Sequence, residues 1–163
     1  MLGGVKRLIV AAAAIAIVAG FALWWFSPRQ VILRRTRALL DTVTIDASSG
    51  RAARGLQAAG IDGFLAPKIV LEVPDEEADG SWRRDEIEAG FRYVAVRSDF
   101  TRFQLGEVES LVIDGDQAVL RGWLDAEVQV DKKTRLAGRY LAEFGWTKGD
   151  DRWRISAVKM EER

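Results

Sequence analysis

The amino-acid sequence predicts an α+β protein: a single N-terminal transmembrane helix, then a curved antiparallel sheet wrapped around about three helices to form a cone. Three observations carry this expectation. Leu8 to Phe26 is 19 residues long and contains no charge. Gln117 to Val130 alternates apolar and polar side chains over its whole length. Between these two stretches lie three segments with apolar residues three and four positions apart, the mark of amphipathic helices.

Composition narrows the chemistry before any element is placed. With 48% apolar and 29% charged residues the chain can build a packed core. Basic and acidic residues balance at zero net charge, and the arginines are interleaved with acids. That is a solvated surface rather than the basic stripe of a nucleic-acid binder. The chain has no Cys and no His. Disulfides, thiolate metal sites, His-ligated zinc and Ser-His-Asp or Cys-His catalysis are thereby excluded. Acid–base chemistry would fall to Asp, Glu, Lys or Tyr. No cofactor and no metal are expected.

The apolar run is long enough to cross a bilayer as a helix, about 28 Å at 1.5 Å per residue. Lys6 and Arg7 precede it, and Trp24 and Trp25 stand at its far end, where amphipathic rings favour the interface. Pro28 breaks the helix. A signal peptide cleaved near Gly20-Phe21-Ala22 would leave Leu-Trp-Trp-Phe at a new N-terminus, so an uncleaved anchor is favoured. Residues 1–28 are read as tail and anchor, and residues 29–163 as the folded domain. The basic N-terminus points to an inner-membrane, single-pass protein with an extracytoplasmic domain. Arg29, Arg34, Arg35 and Arg37 weigh the other way.

After the anchor, Ile32, Thr36, Leu39, Leu40 and Val43 make one face of a helix over Gln30–Val43. The arginines fall mainly on its other face, as a solvated surface or as contacts to anionic lipid headgroups. Ser48-Ser49-Gly50 breaks the chain. Ala52, Leu56, Ala59 and Gly60 suggest a weaker second helix, ended by Gly60 and Gly63. Pro67 leads into a short strand, Lys68–Val73, which Pro74 stops. Asp75–Gly80 is an acidic loop without the spacing of an EF-hand. Ser81 is a fair N-cap for a helix starting near Trp82 and carrying Ile87, Phe91, Val94 and Ala95 on one face to about Arg97.

Strands follow from Thr101. In Arg102–Ile113 the alternation slips around Gly106–Glu109, as at a β-bulge. Asp114-Gly115 is a hairpin turn signal. The strand after it puts Ala118, Leu120, Gly122, Leu124, Ala126, Val128 and Val130 on one face. Asp131–Thr134 turns the chain into a strand with Leu136, Gly138, Tyr140, Ala142, Phe144 and Trp146 on one face. Lys148–Asp151 turns it again, and Trp153, Ile155 and Ala157 alternate in a last strand ending near Met160. The four strands form an antiparallel meander. Gly106, Gly122, Gly138 and Gly145 within them permit strong bending.

From about Gln30 to Glu162 the chain resembles the nuclear transport factor 2-like (SnoaL-like, cystatin-like α+β) superfamily. The resemblance rests on element order, on the helix SWRRDEIEAGFRYV ahead of the long strands, and on the closing GWTKGDDRWRISAVKME with Trp153 and Ile155 as a core pair. It implies a cone with an interior pocket. It leaves open isomerase, dehydratase or cyclase activity on one side and non-catalytic binding or assembly on the other.

Asp62, after the second helix, and Tyr93 and Tyr140 are the pocket candidates: a carboxylate base and a phenol donor suffice for a proton shift. The plainer alternative is that Asp62 caps a turn and the tyrosines pack the sheet. Trp123, Asp125 and Glu127 share the outer face, where the carboxylates meet solvent or a partner; Trp123 marks an interface if exposed and is ordinary core if covered by a helix or terminal segment. The expectation is therefore a membrane-anchored, non-catalytic binding or assembly module. Its layout is similar to the inner-membrane assembly subunit of type IV secretion systems and to membrane proteins of lipid-import complexes. It would hold membrane lipid through the anchor and an unknown protein, or a second copy, through the outer sheet face. The alternative is a small-molecule or lipid binder, or an isomerase- or dehydratase-type enzyme, using the cone.

Overall fold

In the computed structural model the described residues are 2–74, 78–130 and 134–162, with side chains from Ala11 onward. The chain divides into two compact units, residues 1–31 and 32–163.

In the first unit α1 (Leu2–Trp25) is a continuous helix of 24 residues. Its side chains from Ala11 onward are apolar around the whole circumference, and Ile15, Ile17, Val18, Phe21 and Leu23 are exposed. Among the described residues no single helix is long and apolar enough to cross a membrane; the stretch Ala11–Trp25 passes only when taken together with Pro28–Val43. The helix stops at Trp25, and Pro28 opens α2 (Pro28–Val43), a first-turn position where its missing N–H costs nothing.

In the second unit α2 buries Ile32, Thr36, Leu39 and Leu40, the stripe expected from its spacing. Arg35 departs from the solvated face assigned to the arginines. Its guanidinium lies over the rings of Phe64 and Trp146, 5.0 and 5.9 Å from their centroids, and donates to the Gly63 carbonyl at 2.7 Å. Burial there, with Arg152 and Arg154 nearby, lowers its basicity.

α3 (Arg51–Ala59) also turns a different face inward. Leu56, expected in the stripe, is 78% exposed, while Arg54 and Ala58 are buried. The reason is the Arg54 guanidinium. It donates to main-chain carbonyls of Ser49 at 2.8 Å, Asp46 at 3.2 Å, Asp99 at 2.9 Å and, in a short contact, Ser98. A planar five-donor fork is suited to several carbonyls at once, and this one ties the start of α3 to the end of α4. A 3-10 helix (Gly60–Phe64) extends α3 through the glycines expected to end it.

The sheet has six strands in the order β2-β1-β6-β5-β4-β3. β3 (Phe100–Asp114), β4 (Gln117–Gln129), β5 (Arg135–Lys148) and β6 (Trp153–Glu162) form the antiparallel meander. Alternation in β4 is kept: Ala118, Leu120, Gly122 and Leu124 are buried between more exposed neighbours. The β3 register shifts between Leu105 and Val108 and again before Ser110, which is the predicted bulge.

The sheet is mixed, not antiparallel throughout. β1 (Leu65–Glu72) runs parallel to β6, because the chain passes through the whole meander before returning beside it. Pro67 lies inside β1, in the stretch between Leu65 and Val70 where the pairing shifts, so no regular ladder bond is lost. Residues 81–83 belong to a short strand, β2 (Gly80–Arg83), antiparallel to β1, and not to a helix. α4 (Arg84–Arg97) therefore starts later than the Ser81 signal suggested. Its first turn is closed by Glu86, whose carboxylate accepts the Arg83 main-chain N–H at 2.8 Å. The expected acidic loop and the 131–134 turn fall largely on residues 75–77 and 131–133, outside the described residues.

The inner face carries Leu120, Phe144, Trp146 and Ile155, all essentially inaccessible, and Ile32, Leu39 and Leu40 of α2 are buried with them in the core. Each such side chain contributes about 1.5–3 kcal/mol of transfer free energy. The outer face is polar. Arg121 bridges Glu109 at 3.3 Å and Glu143 at 2.6 Å, and Arg135 reaches Glu127 at 2.6 Å. Arg139 lies over the Trp123 ring, 5.1 Å from its centroid.

Candidate functional site

α4 and the strands leave a space between them. The gap is a cavity of about 720 Å³. Leu71, Phe91, Phe103, Val128, Val158 and Met160 line it from β1, α4, β3, β4 and β6. The apolar stripe of α4 explains the opening. Ala95 is fully buried against Ile45 and Ala58, but Ile87, Phe91 and Val94 face the cavity and are covered only in part. A hydrophobic stripe facing empty space remains available for a ligand.

The polar groups on the cavity wall already have partners. Trp82 donates its indole N–H to the Ala78 carbonyl at 2.9 Å. Glu86 accepts from the Arg83 main chain and pairs with the Arg83 guanidinium at 3.3 Å. The Thr101 hydroxyl donates to the Val43 carbonyl at 2.6 Å and accepts the Ile45 N–H at 2.9 Å. The Tyr93 hydroxyl accepts from Arg97, whose guanidinium stacks 4.1 Å from the ring centroid.

The three residues singled out in the sequence do not converge. Asp62 sits in the 3-10 helix, half-exposed, 3.5 Å from the Arg84 guanidinium, and is not part of the cavity wall. Tyr93 stands at the rim, 59% exposed. Tyr140 points to the inner side of the sheet, opposite Leu124, but lines a separate space of about 250 Å³. Val73, Val128 and Met160 form the wall common to both spaces.

Tyr140 lies over Gly138, where an added Cβ would come within 2.7 Å of the phenol oxygen. Its neighbour across the β5–β6 ladder is Glu162, which lines the same small space. Glu86 and Glu162 are the site carboxylates that sequence reasoning missed. Glu86 was visible as an acidic first-turn residue but not as a cavity neighbour, and nothing local marked Glu162. Among the described residues no group of three or more Asp and Glu side chains is arranged to hold a metal ion.

No family model and no curated protein matches the chain. Solved structures do. A nuclear transport factor 2-like protein from Cytophaga hutchinsonii superposes with a TM-score of 0.65 at 13% identity, covering 85% of this chain and 100% of its own. A nuclear transport factor 2-like protein with a cystatin-like fold from Novosphingobium aromaticivorans gives 0.60 at 12% identity, covering 90% and 87%. The CaMKII hub of S. rosetta gives 0.59 at 17% identity, covering 84% and 98%. With a curved, mixed six-stranded sheet preceded and interrupted by helices, this chain has the nuclear transport factor 2-like fold.

Proposed function

We propose that the chain is a membrane-tethered, non-catalytic binding module whose cavity takes up an apolar small molecule or a lipid chain. The supporting observation is the cavity wall itself: it is apolar, and its polar groups are committed to neighbours in the fold. A general acid or base needs a proton-bearing group within reach of the substrate. Glu86 is tied to a helix N-terminus instead.

Tethering rests on the 19-residue charge-free run, its 24-residue helix and the tryptophans at its end. The domain would then face the extracytoplasmic side of an inner membrane. A partner protein or a second copy would meet the outer sheet face, where Val112 and Val119 stand side by side and exposed among the ion pairs.

Native mass spectrometry of full-length protein, extracted gently from its membrane, tests the reading. A retained apolar molecule is expected. An empty domain that also takes up no added apolar probe sinks the binding function. A carbonate wash tests the tether, and release of the protein overturns it.

A second reading has one observation in its favour. Tyr140 and Glu162 are neighbours across the β5–β6 ladder and both line the small space, a phenol and a carboxylate of the kind a proton-shift enzyme uses. Neighbours of the same fold carry the provisional names aromatic ring hydroxylase and scytalone dehydratase, at 15% and 12% identity. Turnover that Tyr140→Phe abolishes would establish this reading over the first.

A further inference from the structure

We infer that the ligand of the large cavity is an amphiphile with an anionic head, and that Arg97 at the cavity rim binds the head while the apolar body lies beneath α4. This rests on the cavity reading above.

The inference follows from the position of Arg97 on its helix. Tyr93 and Val94 both line the cavity. Arg97 is four residues beyond one and three beyond the other, so it continues the same helix face one turn along, at the C-terminal end of α4 beside the rim residue Tyr93. Its guanidinium is held there by the Tyr93 ring and hydroxyl. Among the described residues no carboxylate pairs with it, whereas Arg83, Arg84 and Arg92 on or beside the same helix each have one.

A preorganised cation at the mouth of an apolar space suits a molecule with one charged end. The fork geometry favours a carboxylate or a phosphate. The tyrosine leaves several guanidinium N–H donors for such a head. A structural role alone is the competing account, since a cation in the last helical turn is favoured by the helix dipole.

The test uses full-length protein and three photo-crosslinking probes with the same diazirine-bearing alkyl chain. One carries a carboxylate, one a phosphate and one an alcohol. Labelled peptides are mapped by mass spectrometry. Wild-type protein is expected to be labelled around Phe91, Phe103 and Val128 by the acidic probes about fivefold more than by the alcohol. Arg97→Gln should reduce the acidic probes to the level of the alcohol, leaving alcohol labelling unchanged, and Arg97→Lys should keep most of the preference. A carboxylate probe favoured over the phosphate indicates a free fatty acid, and the reverse indicates a phospholipid headgroup. Equal labelling by acid and alcohol in wild type, or an acid preference that survives in Arg97→Gln, overturns the inference and leaves the cavity reading intact. No cavity labelling by any probe overturns both.

Discussion

The inner side of Gly122 faces the carbonyl oxygen of Glu107 so closely that a Cβ there would sit 2.8 Å from it. The same Cβ would be 3.2 Å from the Val108 Cα. Both neighbours are main chain, in the bulge of β3, and main chain cannot swing aside. Gly122→Ala should therefore lose about 1–3 kcal/mol, the usual cost of overpacking. Gly122→Val should lose more, because the branch adds bulk at the same point. Denaturant melts of the two variants check this. Gly138→Ala is the control. The three atoms nearest its new methyl all belong to the Tyr140 side chain, which can rotate, so its midpoint should fall less.

Arg54 predicts a different failure. It is a buried cation whose partners are carbonyl oxygens. Replacing it with Met keeps the bulk and strands those acceptors. The expected loss is about 2–4 kcal/mol. Lys should rescue little, since one ammonium cannot span the same carbonyls. Hydrogen exchange should show the start of α3 and the Ser98–Asp99 junction loosening together. Protection unchanged at both sites would contradict the coupling.

Stability should be level from about pH 5 to 8, because the chain has no histidine to titrate there. Below that range two aspartates matter. Hydrogen bonds from Ser48 hold Asp46 below the usual carboxylate range, and the Arg152 hydrogen bond does the same for Asp151. A carboxylate with a lowered folded-state pKa contributes stability that is complete above its unfolded value, about 3.9. That contribution disappears as the pH falls through the lower folded-state value. Lys159 is the mirror case. Its hydrogen bond to Glu161 and the charge of Glu72 raise its pKa, so its contribution is lost only as the pH climbs past about 10.4. Thermal melts of Asp46→Asn and Asp151→Asn should show shallower acid slopes than wild type.

Gly90 separates binding from folding. It lies on the cavity wall in the middle of α4, and a Cβ there meets nothing within 4 Å. Gly90→Leu should stabilise the helix by roughly 0.5–1 kcal/mol. The same side chain should obstruct the cavity and lower uptake of an apolar probe. A variant that is more stable and binds as well as wild type would show that the cavity is not where the probe goes.

The sheet was far more legible than the site. The period-two pattern from Ala118 to Leu124 could be read directly, because one face of that strand is packed and the other is wet. The slip around Gly106–Glu109 located the bulge for the same reason. Gly80–Arg83 was hidden: four residues are too few to show a period, and Ser81 resembles an N-cap. The pairing of β1 with β6 joins segments about ninety residues apart, and no local pattern encodes it. Hydrophobicity alone turns Leu56 inward, but the carbonyl acceptors around Arg54 decide which face of α3 is buried. The cavity was the least visible. The stripe of Ile87, Phe91 and Val94 reads the same whether it meets a packed core or an open space.

β6 lies between β1 and β5, although it is the last strand of the sheet to be synthesised. On a ribosome, β1 and β2 would emerge early and have no neighbour to close against. The meander would emerge later with one unfinished edge. Only when residues 153–162 clear the exit tunnel can the two halves of the sheet be joined. The domain is thus expected to fold as one late event and not piece by piece. Until then its apolar surfaces are exposed.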